Sequence, residues 1–77
     1  MSVKYEEVTI EAGLYGLIAP KVFFRIIKEG KGWEVDYKSR GGLMGLPWAH
    51  INRDPLKTKK AAIALAKRYY NKHYVRG

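Results

Sequence analysis

The 77-residue chain contains no cysteine. Disulfide staples and thiolate metal sites are therefore excluded, and nothing points to an oxidising compartment. No apolar run approaches the roughly 20 residues that a membrane-spanning helix needs. The opening MSVKYEEVTI carries two acids and lacks the basic-then-apolar layout of a signal peptide. These absences predict a cytoplasmic protein with no membrane partner. Length sets a further limit: a domain of this size buries only about 60% of its unfolded surface, so one domain with little room for a deep catalytic pocket is expected.

Acids are scarce as well, and unevenly so. Residues 1–36 hold five Lys/Arg against six Asp/Glu, a net of −1, whereas residues 37–77 hold ten Lys/Arg against Asp54 alone, a net of +9. The formal total is +8. So steep an asymmetry suggests that the C-terminal half meets a polyanion or an acidic partner. A hydrophobic content of 47%, with two Trp, six Tyr and two Phe, suits a folded domain rather than a disordered tail.

Periodicity supplies the elements. In EVTIEA, residues 7–12, Val8, Ile10 and Ala12 alternate with Glu7, Thr9 and Glu11, as in a half-buried strand. GLYGLIAP, residues 13–20, either extends that strand or forms an apolar loop. VFFRIIKE (22–29) and GWEVDYK (32–38) flank Gly30-Lys31, which suits a type II′ hairpin turn. That register pairs Phe24 with Tyr37 and Ile26 with Val35 on one face, and Arg25 with Asp36 on the other. An apolar face and an opposite-charge pair thus emerge from a single register. Residues 39–54 contain three Gly and one Pro, yet are too apolar for a plain solvent loop; a short strand within 47–51 is expected. A helix over about 55–74 closes the chain, with Asp54-Pro55 as one start signal and Thr58 as a second. At about 100° per residue one arc gathers Ala62, Ile63, Leu65, Ala66, Tyr69, Tyr70, His73 and Tyr74, and the opposite arc gathers Lys60, Lys67, Arg68, Asn71 and Lys72. Such a helix is structural and turns a basic back to solvent. The expected architecture is α+β: three or four antiparallel strands, within 3–18, 22–29, 32–38 and 47–51, packed against one C-terminal helix. The expected core is Val8, Ile10, Phe24, Ile26, Val35, Tyr37, Ala62, Ile63, Ala66, Tyr69 and Tyr70.

The candidate phosphate contacts are Lys38, Arg40, Arg53, Lys57, Lys59, Lys60, Lys67, Arg68 and Lys72. A solvated surface is the alternative for each of them. Trp48 is expected in the core, with stacking on a base as its functional alternative. Leu43, Met44, Leu46 and Trp48 are candidate contacts for a protein partner. GGLMG lacks the Gly-Lys-Ser/Thr ending of a phosphate loop. His50 and His73 are the only histidines, and spacing reveals no third ligand to make a metal site with either. His73 lies on the apolar arc, where a structural histidine is expected. No nucleophile has an evident base, so no catalysis, cofactor, metal or small-molecule substrate is expected.

One set of motifs carries a resemblance. Trp33, Val35 and Tyr37 in a strand, followed by Thr58, Lys59, Lys60, Ala61 and Ala62 at a helix start, resemble the small arm-type DNA-binding domains of phage tyrosine integrases. The likeness spans residues 22–72; the long Gly-rich segment and Ala61, where an acid is common, depart from that pattern. It implies a sheet that enters the major groove with a helix behind it, and Arg25, Asp36 and Lys38 on the face away from the helix. The chain also resembles small phage-encoded proteins that block a host protein. Two functions are therefore expected in order: a basic nucleic-acid-binding module, for DNA ahead of RNA, and a protein-binding module that inhibits a host enzyme through residues 41–51 or 13–19. Sequence leaves the oligomeric state open.

Overall fold

The computed structural model describes residues 5–11, 13–39 and 48–74. Strands β1 (Glu6–Glu11), β2 (Leu14–Ala19), β3 (Val22–Glu29), β4 (Gly32–Ser39) and β5 (Ala49–His50) form an antiparallel sheet in sequence order, and helix α1 (Lys59–His73) follows. The class is α+β, as expected, but the sheet has five strands rather than three or four. The extra strand comes from residues 3–18, expected to hold a single strand. They fold back at Gly13 (φ 76°) and give β1 and β2, with a register shift between Thr9 and Glu11.

The β3–β4 hairpin adopts the expected register, with Ile26 opposite Val35 and Arg25 opposite Asp36. Gly30 takes φ 56° and no described non-glycine residue has a positive φ, which selects II′ over I′ for the Gly30-Lys31 turn. The helix covers one face of β3 and β4. Leu17, Ala19, Val22, Phe24, Ile26 and Val35 are closed to solvent against Ala62, Ala66 and Tyr70. Ala62, Ala66 and Tyr70 recur every fourth residue, and two alanines let the helix axis approach the sheet closely. Aromatic contacts finish the layer: Tyr5 and Phe24 both meet Tyr70 edge-on, with ring centroids 5.6 and 6.4 Å apart.

Several expectations fail here for identifiable reasons. Val8 and Ile10 are 39% and 53% exposed rather than core. Their alternation is real, but Val8 pairs with Gly16, which places it on the sheet face away from α1. Tyr37, Ile63 and Tyr69 are only half-buried, at the margin of the core. The helix begins at Lys59, not Pro55: Thr58 is the N-cap, its Oγ1 accepting from the Ala61 N–H at 3.1 Å.

Pro55 and Leu56 instead continue along β4, where Leu56 and Trp33 exchange two backbone hydrogen bonds of 2.8 Å. Between β5 and that bridge, Asn52 substitutes for a strand partner. Its Oδ1 accepts from the Val35 N–H at 2.8 Å, and its Nδ2 donates to the carbonyls of Trp33 and Asp54. The approach is close enough that a Cβ on Gly32 would overlap the Pro55 ring. Among the described residues, no helix is long and apolar enough to cross a membrane.

Candidate functional site

The nine candidate phosphate contacts separate in space. Lys60, Lys67, Arg68 and Lys72 are exposed on the outer face of α1, Lys67 with its Nζ 5.5 Å from the Tyr5 ring centroid, and Arg53 and Lys57 are exposed in the segment leading to it. No ion pair joins any of these six to a carboxylate among the described residues. Lys59 is committed elsewhere: its Nζ lies 3.4 Å from the Tyr15 ring centroid and 3.6 Å from Glu7 Oε1. Lys38 lies on the opposite side of the sheet, with its Nζ 5.4 Å from the Trp48 ring centroid. Arg40, Leu43, Met44 and Leu46 lie outside the described residues.

That opposite side, the open face, has its own organisation. Pairing aligns Val8, Gly16, Arg25, Asp36 and His50 in one row across all five strands. Arg25, Asp36 and Lys38 therefore lie away from the helix. Asp36 is fully buried, although α1 packs on the other face of the sheet. Two neighbouring side chains reach its carboxylate. Arg25 Nη2 donates to Asp36 Oδ2 at 2.8 Å, and His50 Nδ1 lies 2.7 Å from Asp36 Oδ1 and 3.0 Å from Glu34 Oε2. Burial, and then the adjacent Asp36 carboxylate, raise the Glu34 pKa above its ordinary value. Trp48 is half-buried over this cluster rather than in the core, with Arg25 Cζ 4.4 Å from its ring centroid.

Beside the charged row runs an apolar groove of about 330 Å³, lined chiefly by Val8, Ile10, Gly16, Ile18, Phe23 and Trp48, with Lys38, Leu17 and Phe24 also contributing to its wall. The exposed Val8 and Ile10 belong to it. Trp48 is thus the one candidate partner contact within the described residues, and it joins the groove to the charged cluster. His73, expected to be structural, is exposed and lies against Tyr69 with ring centroids 4.2 Å apart and planes tilted by 37°.

Spacing along the chain does not reveal the trio Glu34, Asp36 and His50, whose ligand atoms lie within 4.8 Å of one another. Half the signal was present: Glu34 and Asp36, two apart in a strand, necessarily share a face. The other half depends on how β5 registers against β4, which no local pattern specifies. No family model, curated protein or solved structure matches this chain.

Proposed function

We propose that the protein is a nucleic-acid-binding module that meets phosphates with the outer face of α1 and the segment before it. The observation that carries this reading is the set of exposed cations Arg53, Lys57, Lys60, Lys67, Arg68 and Lys72, none paired with a carboxylate among the described residues. Lys60, Ala64, Arg68 and Lys72 follow one another at every fourth position. At about 1.5 Å per residue that row extends about 18 Å along the helix axis. Cations so placed release counterions from a phosphate backbone, and affinity then falls as salt rises.

The charge balance favours the helix side over the open face. An arm-type arrangement, with the sheet in the major groove, would bring Glu34 and Asp36 toward the DNA together with Arg25 and Lys38. A titration of duplex and single-stranded DNA at two salt concentrations tests the reading, with RNA as a second ligand. Binding to duplex should weaken with salt, and the triple variant Lys60→Gln/Arg68→Gln/Lys72→Gln should flatten the log–log slope by about one unit per lost contact. Absence of binding at low salt, or binding indifferent to salt, overturns it.

The apolar groove favours a second reading, a protein-binding module of the host-inhibitor kind. A hydrophobic groove beside cations suits an acidic protein that also buries an apolar side chain. Pull-down from nuclease-treated bacterial lysate separates the two functions. A single stoichiometric protein partner, lost on Ile10→Ser and Trp48→Ser, supports the second; capture that disappears with nuclease supports the first.

A further inference from the structure

We propose that Glu34, Asp36 and His50 form a binding site for a divalent transition-metal cation, zinc foremost. The three residues supply two carboxylate oxygens and one imidazole nitrogen, all within 4.8 Å of one another. Hard oxygen donors alone would suit magnesium or calcium, but the imidazole shifts preference towards zinc and its first-row neighbours.

The present distances are close to those a metal requires. Zinc holds nitrogen and oxygen donors at about 2.0–2.2 Å, which sets ligands around a tetrahedral centre about 3.4 Å apart. His50 Nδ1 is 2.7 Å from Asp36 Oδ1 and 3.0 Å from Glu34 Oε2, so coordination needs the ring to withdraw by about 0.7 Å from the first and about 0.4 Å from the second. The ring can do so because its side chain is 66% exposed and stands on the two-residue edge strand β5. That exposure also provides the entry path, and it leaves the remaining coordination positions to solvent or a bound ligand.

The surroundings already hold one ligand in place. Arg25 Nη2 binds Asp36 Oδ2 and leaves Oδ1 directed at the site. Outer-shell hydrogen bonds to a ligating carboxylate perform this orienting role in metal centres. Arg25 also offsets one of the two carboxylate charges, so the ionised cluster with neutral His50 carries a net −1, which a divalent cation reverses to +1.

Isothermal titration of tag-free, chelator-treated protein with zinc chloride tests the proposal, with circular dichroism to confirm that each variant is folded. Wild type should bind one equivalent saturably. His50→Ala and Glu34→Gln should weaken binding by more than the roughly 10–100-fold that loss of an outer-shell partner costs, and Arg25→Lys should fall within that range. His73→Ala should bind as wild type does. Cobalt(II) added to wild type gives a readout that depends on no variant: paramagnetic broadening should begin at the amides of Val35–Tyr37 and Ala49–Ile51. The proposal is overturned if zinc gives no saturable heat, if His50→Ala binds unchanged, or if broadening centres on His73. In each case the cluster is a histidine bridge between two carboxylates.

Discussion

Beneath α1 the sheet presents Leu17, Val22, Phe24, Ile26 and Val35, all closed to solvent by Ala62, Ala66 and Tyr70. On the reverse of the same strands, the side chain most completely buried is a carboxylate, Asp36, held by Arg25 and His50. Apolar residues there, Val8 and Ile10 among them, stand exposed around a groove. The two faces divide the work. Cohesion lies under the helix, where burial is apolar and continuous. The open face pairs its buried carboxylate, although Arg25 Nε is buried without a hydrogen-bond partner among the described residues, and keeps apolar side chains such as Val8 and Ile10 accessible. The basic back of α1 is a third surface, fixed in place by the first.

Adjacent phenylalanines give the sharpest way to break this contrast. Phe24 is closed to solvent in the core under the helix, whereas Phe23, next to it in β3 and on the opposite face, is half-buried in the groove wall. Phe24→Ala should cost about 3–5 kcal/mol of unfolding free energy in urea denaturation. Phe23→Ala should cost only about 1 kcal/mol, as at partly solvated positions. Equal losses would mean that the groove wall is as structural as the core. Next in size is Asn52→Ala. It leaves the Val35 N–H without its acceptor at the boundary of both faces, a loss of about 1–3 kcal/mol. Asn52→Asp keeps an acceptor for that N–H but sets a carboxylate oxygen against the carbonyls of Trp33 and Asp54, so it should lose at least as much as Ala.

How much of this was legible in the sequence depends on how local the determinant is. The β3–β4 register could be read because a two-residue turn and the Arg25–Asp36 pair constrain it within a few residues. Alternation showed that Val8 and Ile10 share a face. It could not show which side of the sheet the helix would take, because that depends on β1 pairing with β2. Pro55 looked like a helix start, and Leu56 overrode it by bridging to Trp33, a tertiary contact 23 positions away in the chain. The basic back of α1 was legible from helical angle alone. The Glu34–Asp36–His50 trio was not, since it depends on β5 pairing with β4 so that His50 lies opposite Asp36.

Titration sharpens the contrast at smaller cost. Burial raises the pKa of Tyr69, Tyr5 and Tyr74 above the ordinary value of 10.0, helped at Tyr69 by a hydrogen bond with Tyr37, at Tyr5 by Tyr70 and at Tyr74 by Tyr37. All three belong to the helix side. A group whose folded pKa is raised contributes stability that is complete below its unfolded pKa and is lost as pH climbs through the folded value. The unfolding free energy attributable to these tyrosines should therefore be level at neutral pH and fall above about pH 10. Tyr69→Phe should make that alkaline fall shallower, whereas a slope unchanged in the variant would place the sensitive group elsewhere.

The smallest expected effect is the most informative about α1. Lys60→Gln removes a cation from the first helical turn, where it opposes the dipole, and Arg68→Gln removes a like-charge neighbour four residues before Lys72. Lys72→Gln gives up a favourable cation in the last turn. These contributions are a few tenths of a kcal/mol each and of mixed sign, so the triple variant should match wild type within about 0.5 kcal/mol in urea. A loss well beyond that would make the cations part of the scaffold, and weakened DNA binding in the variant would then report damage to the fold. Unchanged stability with weakened binding would separate the basic back of the helix from the apolar stripe that anchors it.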